Sequence, residues 1–183
     1  MLSQLILEKE NQILKMKIIE FKDQIYPAFQ AEGFAAQFAF PFAQKVCLGK
    51  GVDIGCNRPE WAFPGAIPVD ITINDEYHAF HLPKELDYIF SSHCLEHLPN
   101  WVEALDYWIS ELKPGGVLFL YLPNMDEQHY WRPWNNRKHI HYLTPKIVYN
   151  YLNSREDFEH FFVSDGDLND SFSVIYCKYE GND

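Results

Sequence analysis

The sequence predicts an α/β domain on a mostly parallel sheet, with one antiparallel strand supplied by a C-terminal hairpin. Three observations lead there. From Gly51 onward, short runs rich in apolar and β-branched residues alternate with helix signals, the rhythm of βα units. The runs are short and bounded by Gly, Pro, Asn and Asp, as buried strands are. The last two, Glu159–Ser164 and Phe172–Lys178, flank the turn Asp165-Gly-Asp-Leu-Asn-Asp170 and so read as a hairpin. With helices on both faces, residues 27–183 are expected to form a three-layer sandwich.

Residues 1–26 stand apart as an N-terminal helix. No Gly or Pro interrupts Leu2 to about Ile25. Leu7, Leu14, Ile18, Phe21 and Ile25 fall on one stripe, with Asn11 in register. A lone Asn in such a stripe fixes register in a coiled coil, which would make a homodimer through residues 1–25. The same pattern suits an amphipathic helix laid on its own domain. Pro27 ends it. Phe29–Val46, rich in Ala and Phe, predicts one or two short helices split at Gly33 and Pro41, packed on the sheet edge or roofing a ligand. The expected parallel strands are Val52–Ile54, Ile67–Asp70, Ala79–His81, Tyr88–Ser91 and Val117–Leu122. Pro99-Asn100 opens a helix over Trp101–Leu112, and Pro114-Gly115-Gly116 stops it. Thr144-Pro145 offers a capping hydroxyl and a Pro at the first position for a helix over Lys146–Leu152.

The 183 residues suffice for one substantial core. The net charge of −11 argues against a nucleic-acid substrate, because the only local basic footprint is Arg132, Arg137 and Lys138. Four widely spaced cysteines without a CxxC pair read as free thiols of a reducing compartment rather than disulfides or zinc ligands. Leu5-Ile-Leu7 is too short for a signal-peptide core, and no run is long enough to span a membrane. The expectation is a cytoplasmic protein with a small-molecule substrate.

The segment Lys50-Gly-Val-Asp-Ile-Gly-Cys-Asn57, followed by Ala66-Ile-Pro-Val-Asp70, reads as a buried strand, a tight turn, and a second strand ending on a carboxylate. A nucleotide-shaped cofactor is held that way: the small turn lets backbone N–H groups approach, and the acid accepts ribose hydroxyls. Asn57 stands where a second glycine is usual, and Asn tolerates positive φ. Fourteen residues separate Gly55 from Asp70, with Pro59, Pro64, Gly65 and Pro68 among them. The crossover helix is therefore reduced to a turn or two.

Two further segments complete a family pattern: Ser91-Ser-His-Cys-Leu-Glu-His-Leu98 and Leu112-Lys-Pro-Gly-Gly-Val-Leu118. With them the chain resembles the Rossmann-like class I methyltransferases that use S-adenosylmethionine (SAM), in particular a compact subgroup with a shortened first helix. The resemblance covers Gly49–Asn124 closely and His139–Leu152 loosely. It implies SAM as cofactor, with Gly55, Cys56 and Asn57 at the glycine turn and Asp70 and Ile71 at the ribose. Asp53 orients the turn or meets the cofactor's amino group through water. At the adenine, His78 takes the place of the family's usual acid, and either the Phe80 ring stacks on the base or the Ala79 and Phe80 backbone reads it; a structural role suits His78 and His81 equally. Ser92 and His93 line the transfer site.

Beyond Pro123-Asn124 the resemblance places the acceptor pocket. Tyr130, Trp131 and Trp134 suit a stacking wall for a sugar or flat ring, and Arg132 suits an anionic group. As a base, His139 or His141 ranks first and His93 second. Glu96 and His97 are too tightly spaced and too short of partners for a zinc motif, so no metal is expected. The implied function is methyl transfer to a small-molecule or sugar-type O or N acceptor. The departures at Asn57 and His78 and the short first helix support an alternative, a catalytically inactive methyltransferase-fold protein serving in binding or assembly. A nicotinamide enzyme is disfavoured by the missing third glycine and the lack of room for a pyrophosphate-binding helix.

Overall fold

The computed structural model describes residues 18–21, 23–73 and 76–181. Its first element is a hairpin: β1 (Ile18–Phe21) pairs antiparallel with β2 (Gln24–Pro27). This corrects the helix expected as far as Ile25. Asp23 adopts φ 62, a left-handed conformation through which no α-helix continues, and β-branched Ile18, Ile19 and Ile25 suit extended pairing. Ile18 and Ile25 are largely exposed on separate strands, so the expected seam does not run through residues 18–25. Leu7, Asn11 and Leu14 lie outside the described residues.

Two short helices follow, α1 (Ala28–Ala31) and α2 (Phe40–Ala43), with a 3-10 turn at Ala35–Phe38 between them. The break at Gly33 is present, with φ 85. Pro41 makes no break. It sits in the first turn of α2, where a missing N–H costs little.

The central sheet contains β3 (Gly51–Ile54), β4 (Ile67–Val69), β5 (Leu86–Ser92), β6 (Leu112–Pro123), β7 (Phe158–Val163) and β8 (Ser171–Lys178). Their order is β4-β3-β5-β6-β8-β7. Strands β4, β3, β5 and β6 are parallel, while β8 runs antiparallel to both β6 and β7. One strand therefore opposes the rest, as expected. Two helices intervene: α3 (Trp101–Glu111) after β5 and α4 (Pro145–Asn153) after β6. Asn100 Oδ1 accepts the Glu103 N–H at 3.2 Å, and Thr144 Oγ1 accepts the Ile147 N–H at 3.3 Å, each satisfying an orphan donor of the first turn.

The pleat sorts side chains into two layers. Ile54, Ile89, Leu118, Leu120 and Val174 face α3 and α4, where Leu105, Trp108, Ile109, Val148 and Leu152 are wholly buried. Tyr88, Phe90, Phe119 and Tyr121 face the other way, against Ala35, Ala39, Ala43 and Phe63. Small alanines let the N-terminal segment lie close on an aromatic sheet face. Each fully buried large side chain in these layers contributes about 1.5–3 kcal/mol.

Two sequence expectations are corrected here. Ala79–His81 is not a strand. His78 and His81 exchange backbone hydrogen bonds of 3.0 and 2.8 Å across a turn, and the His78 Nδ1 accepts the Phe80 N–H at 3.2 Å. That local pairing competes with a sheet ladder. Pro114-Gly115-Gly116 also does not stop α3, because Leu112 already belongs to β6 and pairs with Leu86 of β5. The β3–β4 crossover is a single 3-10 turn at Pro59–Trp61, as the prolines predict.

Candidate active site

Open α/β sheets bind ligands beyond the carboxyl ends of their strands. There, the turns after β3, β4 and β5 enclose a cavity of about 760 Å³, within the roughly 300–1,000 Å³ usual for small-molecule sites. Gly55 has φ 85, and a Cβ on it would sit 2.5 Å from Cys94 Cβ and 2.6 Å from its Sγ. Only glycine fits both the conformation and the approach. Asn57 takes φ 64, keeping the bend without a second glycine.

Asp70 stands at the end of β4. Its Oδ2 accepts the Asn57 N–H at 3.0 Å, and its Oδ1 accepts the Thr72 N–H at 2.9 Å and the Thr72 hydroxyl at 2.8 Å. The same hydroxyl lies 2.9 Å from the Asn57 carbonyl. It carries one proton, so turning to that carbonyl frees a lone pair of Asp70 at no loss of hydrogen bonds. The carboxylate can thus brace its loop and still receive a ribose diol.

The far wall is apolar, formed by Ile71, Ala79, Phe80, Leu98 and Pro99. The 78–81 turn is anchored from below by the Trp108 indole N–H, donated to the Ala79 carbonyl at 2.7 Å. With the Phe80 N–H taken by His78, the Phe80 ring is the better-placed group for an aromatic base.

A second cavity of about 320 Å³ adjoins the first and shares Gly33, Gly55, Asn57, His93, His97 and Lys138 with it. It is closed by Gln30 and Ala35 on one side and by Tyr130, Trp131 and His139 on another. Its floor is Glu96, which is wholly buried and, among the described residues, has no hydrogen-bond partner at either oxygen. Ser92 Oγ and Gln30 Oε1, also lining it, are likewise buried without partners among the described residues.

Three histidine rings surround this floor. His93 contacts Ser171 Oγ through Nε2 at 3.1 Å, and that hydroxyl lies 3.2 Å from the Asn169 carbonyl. The consistent assignment has His93 donating from Nε2, which leaves Nδ1 as the lone-pair nitrogen. His139 donates from Nδ1 to the Trp131 carbonyl at 2.5 Å, and His97 from Nδ1 to the Lys138 carbonyl at 2.7 Å. Burial pushes His93 down to about 3 and His139 down to about 4, and mutual repulsion with neighbouring imidazoles adds to both. Burial also raises the Glu96 carboxyl above its usual range, against the pull of His97.

The sequence-predicted residues divide cleanly. Gly55, Asn57, Asp70, Ile71, Ala79, Phe80 and His93 line the larger cavity. Ser92, Tyr130, Trp131, His139 and again His93 line the smaller. Asp53 and Cys56 are buried and line neither. Asp53 accepts the Phe63 N–H at 2.7 Å and so holds the β3–β4 link, a contact distinct from the glycine-turn and cofactor roles expected of it. Three acceptor-side residues lie away from both cavities. His141 Nε2 bonds the Leu98 carbonyl at 2.7 Å. Arg132 donates to the Met125 and Asp126 carbonyls at 2.7 and 3.1 Å. Trp134 stacks on Tyr142 at 5.5 Å and is mostly exposed. All three hold the 125–142 loop. Residues missed from sequence include Thr72, Gln30 and Gly33. Thr72, two positions after Asp70, carried a legible signal, since a carboxylate bonds its own backbone two residues on.

A mostly parallel sheet with one antiparallel strand near its end, a glycine bend, an acid after the second strand and a cavity beyond both is the class I methyltransferase architecture. Residues 33–177 match the family model described as "Methyltransferase domain", and the chain belongs to that family. It is accordingly a SAM-dependent methyltransferase, with SAM as its cofactor. Similar solved structures include a SAM-dependent methyltransferase from Archaeoglobus fulgidus, 14% identical over 82% of this chain and 98% of that one, TM-score 0.58. A possible histamine N-methyltransferase from Thermotoga maritima is 15% identical over 84% and 95%, TM-score 0.56. The N-methyltransferase NodS from Bradyrhizobium japonicum, in complex with S-adenosylhomocysteine, is 14% identical over 82% and 87%, TM-score 0.53. Identities this low establish a shared fold. No curated protein matches the chain. Among the described residues, no helix is long and apolar enough to cross a membrane.

Proposed function

We propose that this chain transfers a methyl group from SAM to a hydroxyl or amine of a small polar acceptor, such as a sugar, seated in the smaller cavity. The observation that carries this reading is the shared wall. Gly55, Asn57 and His93 face both cavities, so a cofactor in one and an acceptor in the other meet at those residues. When bound, SAM supplies a methyl group already made electrophilic by its sulfonium. The protein's task is alignment and exclusion of water.

Asp70 holds the ribose hydroxyls, the Gly55–Asn57 bend admits the methionine end, and Phe80 with Leu98 covers the adenine. On the acceptor side, Trp131 provides an aromatic wall set edge-on to His93 at 5.1 Å, and the unpartnered acceptors Gln30 Oε1 and Ser92 Oγ suit a ligand rich in O–H or N–H donors. The acceptor's proton goes to His93 Nδ1. Burial keeps that imidazole neutral, so its Nδ1 lone pair is free to take the proton as a weak base in the transfer step.

Thermal melting with S-adenosylhomocysteine tests this reading. At about 100 times its dissociation constant the ligand should stabilise by roughly 2.7 kcal/mol, a rise of about 5–10 °C for a domain of this size. Asp70→Ala should abolish the rise. No shift at millimolar ligand, or a full shift in D70A, would refute the assignment.

A further inference from the structure

We propose that Glu96, His97 and His139 bind a divalent first-row transition-metal ion at the floor of the smaller cavity. The ion's open positions hold the methyl acceptor through an oxygen. This second half rests on the acceptor reading given above; the ion site itself does not.

Three features point to an ion. Glu96 is wholly buried with neither oxygen hydrogen-bonded among the described residues. A carboxylate left so is costly unless it meets a charge or a proton. Its Oε1 lies 3.7 Å from His97 Nε2 and 3.8 Å from His139 Nε2, and the three donor atoms fall within 4.8 Å of one another. Both imidazoles are also oriented as metal ligands are. Each gives its Nδ1–H to a backbone carbonyl, of Lys138 and Trp131 respectively, which leaves the Nε2 lone pair turned toward Glu96.

In sequence the Glu96-His97 pair lacks a partner. The fold supplies one from more than forty residues away, and backbone bonds hold it there: Ile140 and His141 donate to the Glu96 carbonyl at 2.9 and 3.3 Å. Metal–ligand bonds of about 2.0–2.2 Å require the donor atoms to close by less than about 1 Å. Two imidazoles and a carboxylate favour zinc, manganese, iron or cobalt over magnesium or calcium. Three protein ligands leave room for an acceptor oxygen, as catalytic sites do. A hydroxyl on such an ion loses its proton more readily. His93 then takes that proton.

The test uses the full chain, stripped with chelator. Zn²⁺, Mn²⁺ and Mg²⁺ are titrated separately by calorimetry, and Co²⁺ binding is followed by its visible absorption. One equivalent of Zn²⁺ or Mn²⁺ should bind, with Mg²⁺ much weaker. Co²⁺ should give a ligand-field band that Glu96→Gln and His139→Ala remove. Each variant should lose at least about 100-fold in affinity, above the range for outer-shell changes. His97→Ala, at an exposed position, gives a third reading, and its metal-free melting temperature shows whether loss of the Lys138 bond disturbs the fold. The absence of stoichiometric binding, or affinity unchanged in E96Q and H97A, would overturn the site. Melting with S-adenosylhomocysteine on the same samples separates the two readings: metal bound without a nucleoside shift fails only the methyl-transfer assignment, and the reverse fails only the ion.

Discussion

Asp53 is the most sharply testable residue of the cofactor turn. Its side chain is buried and accepts the Phe63 N–H at 2.7 Å. Burial pushes its carboxyl up to about 7 from an ordinary 3.8; the Phe63 bond opposes this, and the nearby Asp70 charge adds to it. Between pH 4 and 7 the folded chain therefore holds a proton here that the unfolded chain has released. Stability from this group is full below pH 4 and falls as the pH rises to about 7, then levels off. The span corresponds to about 4 kcal/mol, a large share of a typical domain's stability. Asn keeps the acceptor for Phe63 and cannot ionise. Its extra N–H₂ adds a penalty of about 1–3 kcal/mol if unpaired, but that penalty is the same at every pH. The informative quantity is therefore the change with pH in the stability difference between Asp53→Asn and the parent chain. Urea unfolding at pH 4, 6 and 8.5 should show the difference moving by about 4 kcal/mol in favour of D53N, almost all of it below pH 8. A difference flat across that range would mean that Asp53 is ionised when folded, and the account of the β3–β4 link as a neutral strut would be wrong.

Two further outcomes follow from the turns that shape the larger cavity. Gly55→Ala meets a positive φ, about 1–2 kcal/mol, and a clash with Cys94 that adds about 1–3 kcal/mol. Denaturant melts should report a loss of roughly 2–5 kcal/mol, and a loss under 1 would show that the Gly55–Cys94 approach is not tight. Trp108→Phe keeps most of the buried area but leaves the Ala79 carbonyl without the indole N–H. Stability should fall by about 1–3 kcal/mol and S-adenosylhomocysteine affinity should drop with it. Unchanged affinity in calorimetry would detach the 78–81 turn from adenine recognition.

The sheet was legible because its signals are local. Runs such as Val117–Leu122 carry their own apolar pattern, and Asn100 and Thr144 cap helices that begin where those residues predict. The glycine bend and Asp70 were legible for the same reason, since strand, turn and acid lie within about twenty residues. What escaped was long-range or energetically balanced. Ile18–Pro27 has a helical stripe, yet a single left-handed Asp23 and three β-branched residues turn it into a hairpin. Ala79–His81 has a strand's composition, but His78 and His81 satisfy each other's backbone. Arg132, Trp134 and His141 have the chemistry of an acceptor site, and nothing in their spacing reveals that Met125, Tyr142 and Leu98 already occupy them.

The smaller cavity shows why composition alone misplaces such a site. Its floor comes from the turn after β5, its roof from the segment around Gln30, and its outer wall from a loop some forty residues further on. The outer wall is stitched to the floor by four hydrogen bonds between residues 96–98 and 138–141. His141 looked like a base by residue type, yet its bond to the Leu98 carbonyl makes it one of those stitches. The positions of His97 and His139 are therefore set by the same contacts that keep the loop on the cofactor turn. If the loop shifts, the carboxylate, both imidazoles and the wall of the larger cavity shift together. Replacing His141 by Phe, which cannot donate to the Leu98 carbonyl, should weaken acceptor-side chemistry and cofactor affinity in parallel. A variant that altered only one of them would show that the two cavities are mechanically independent.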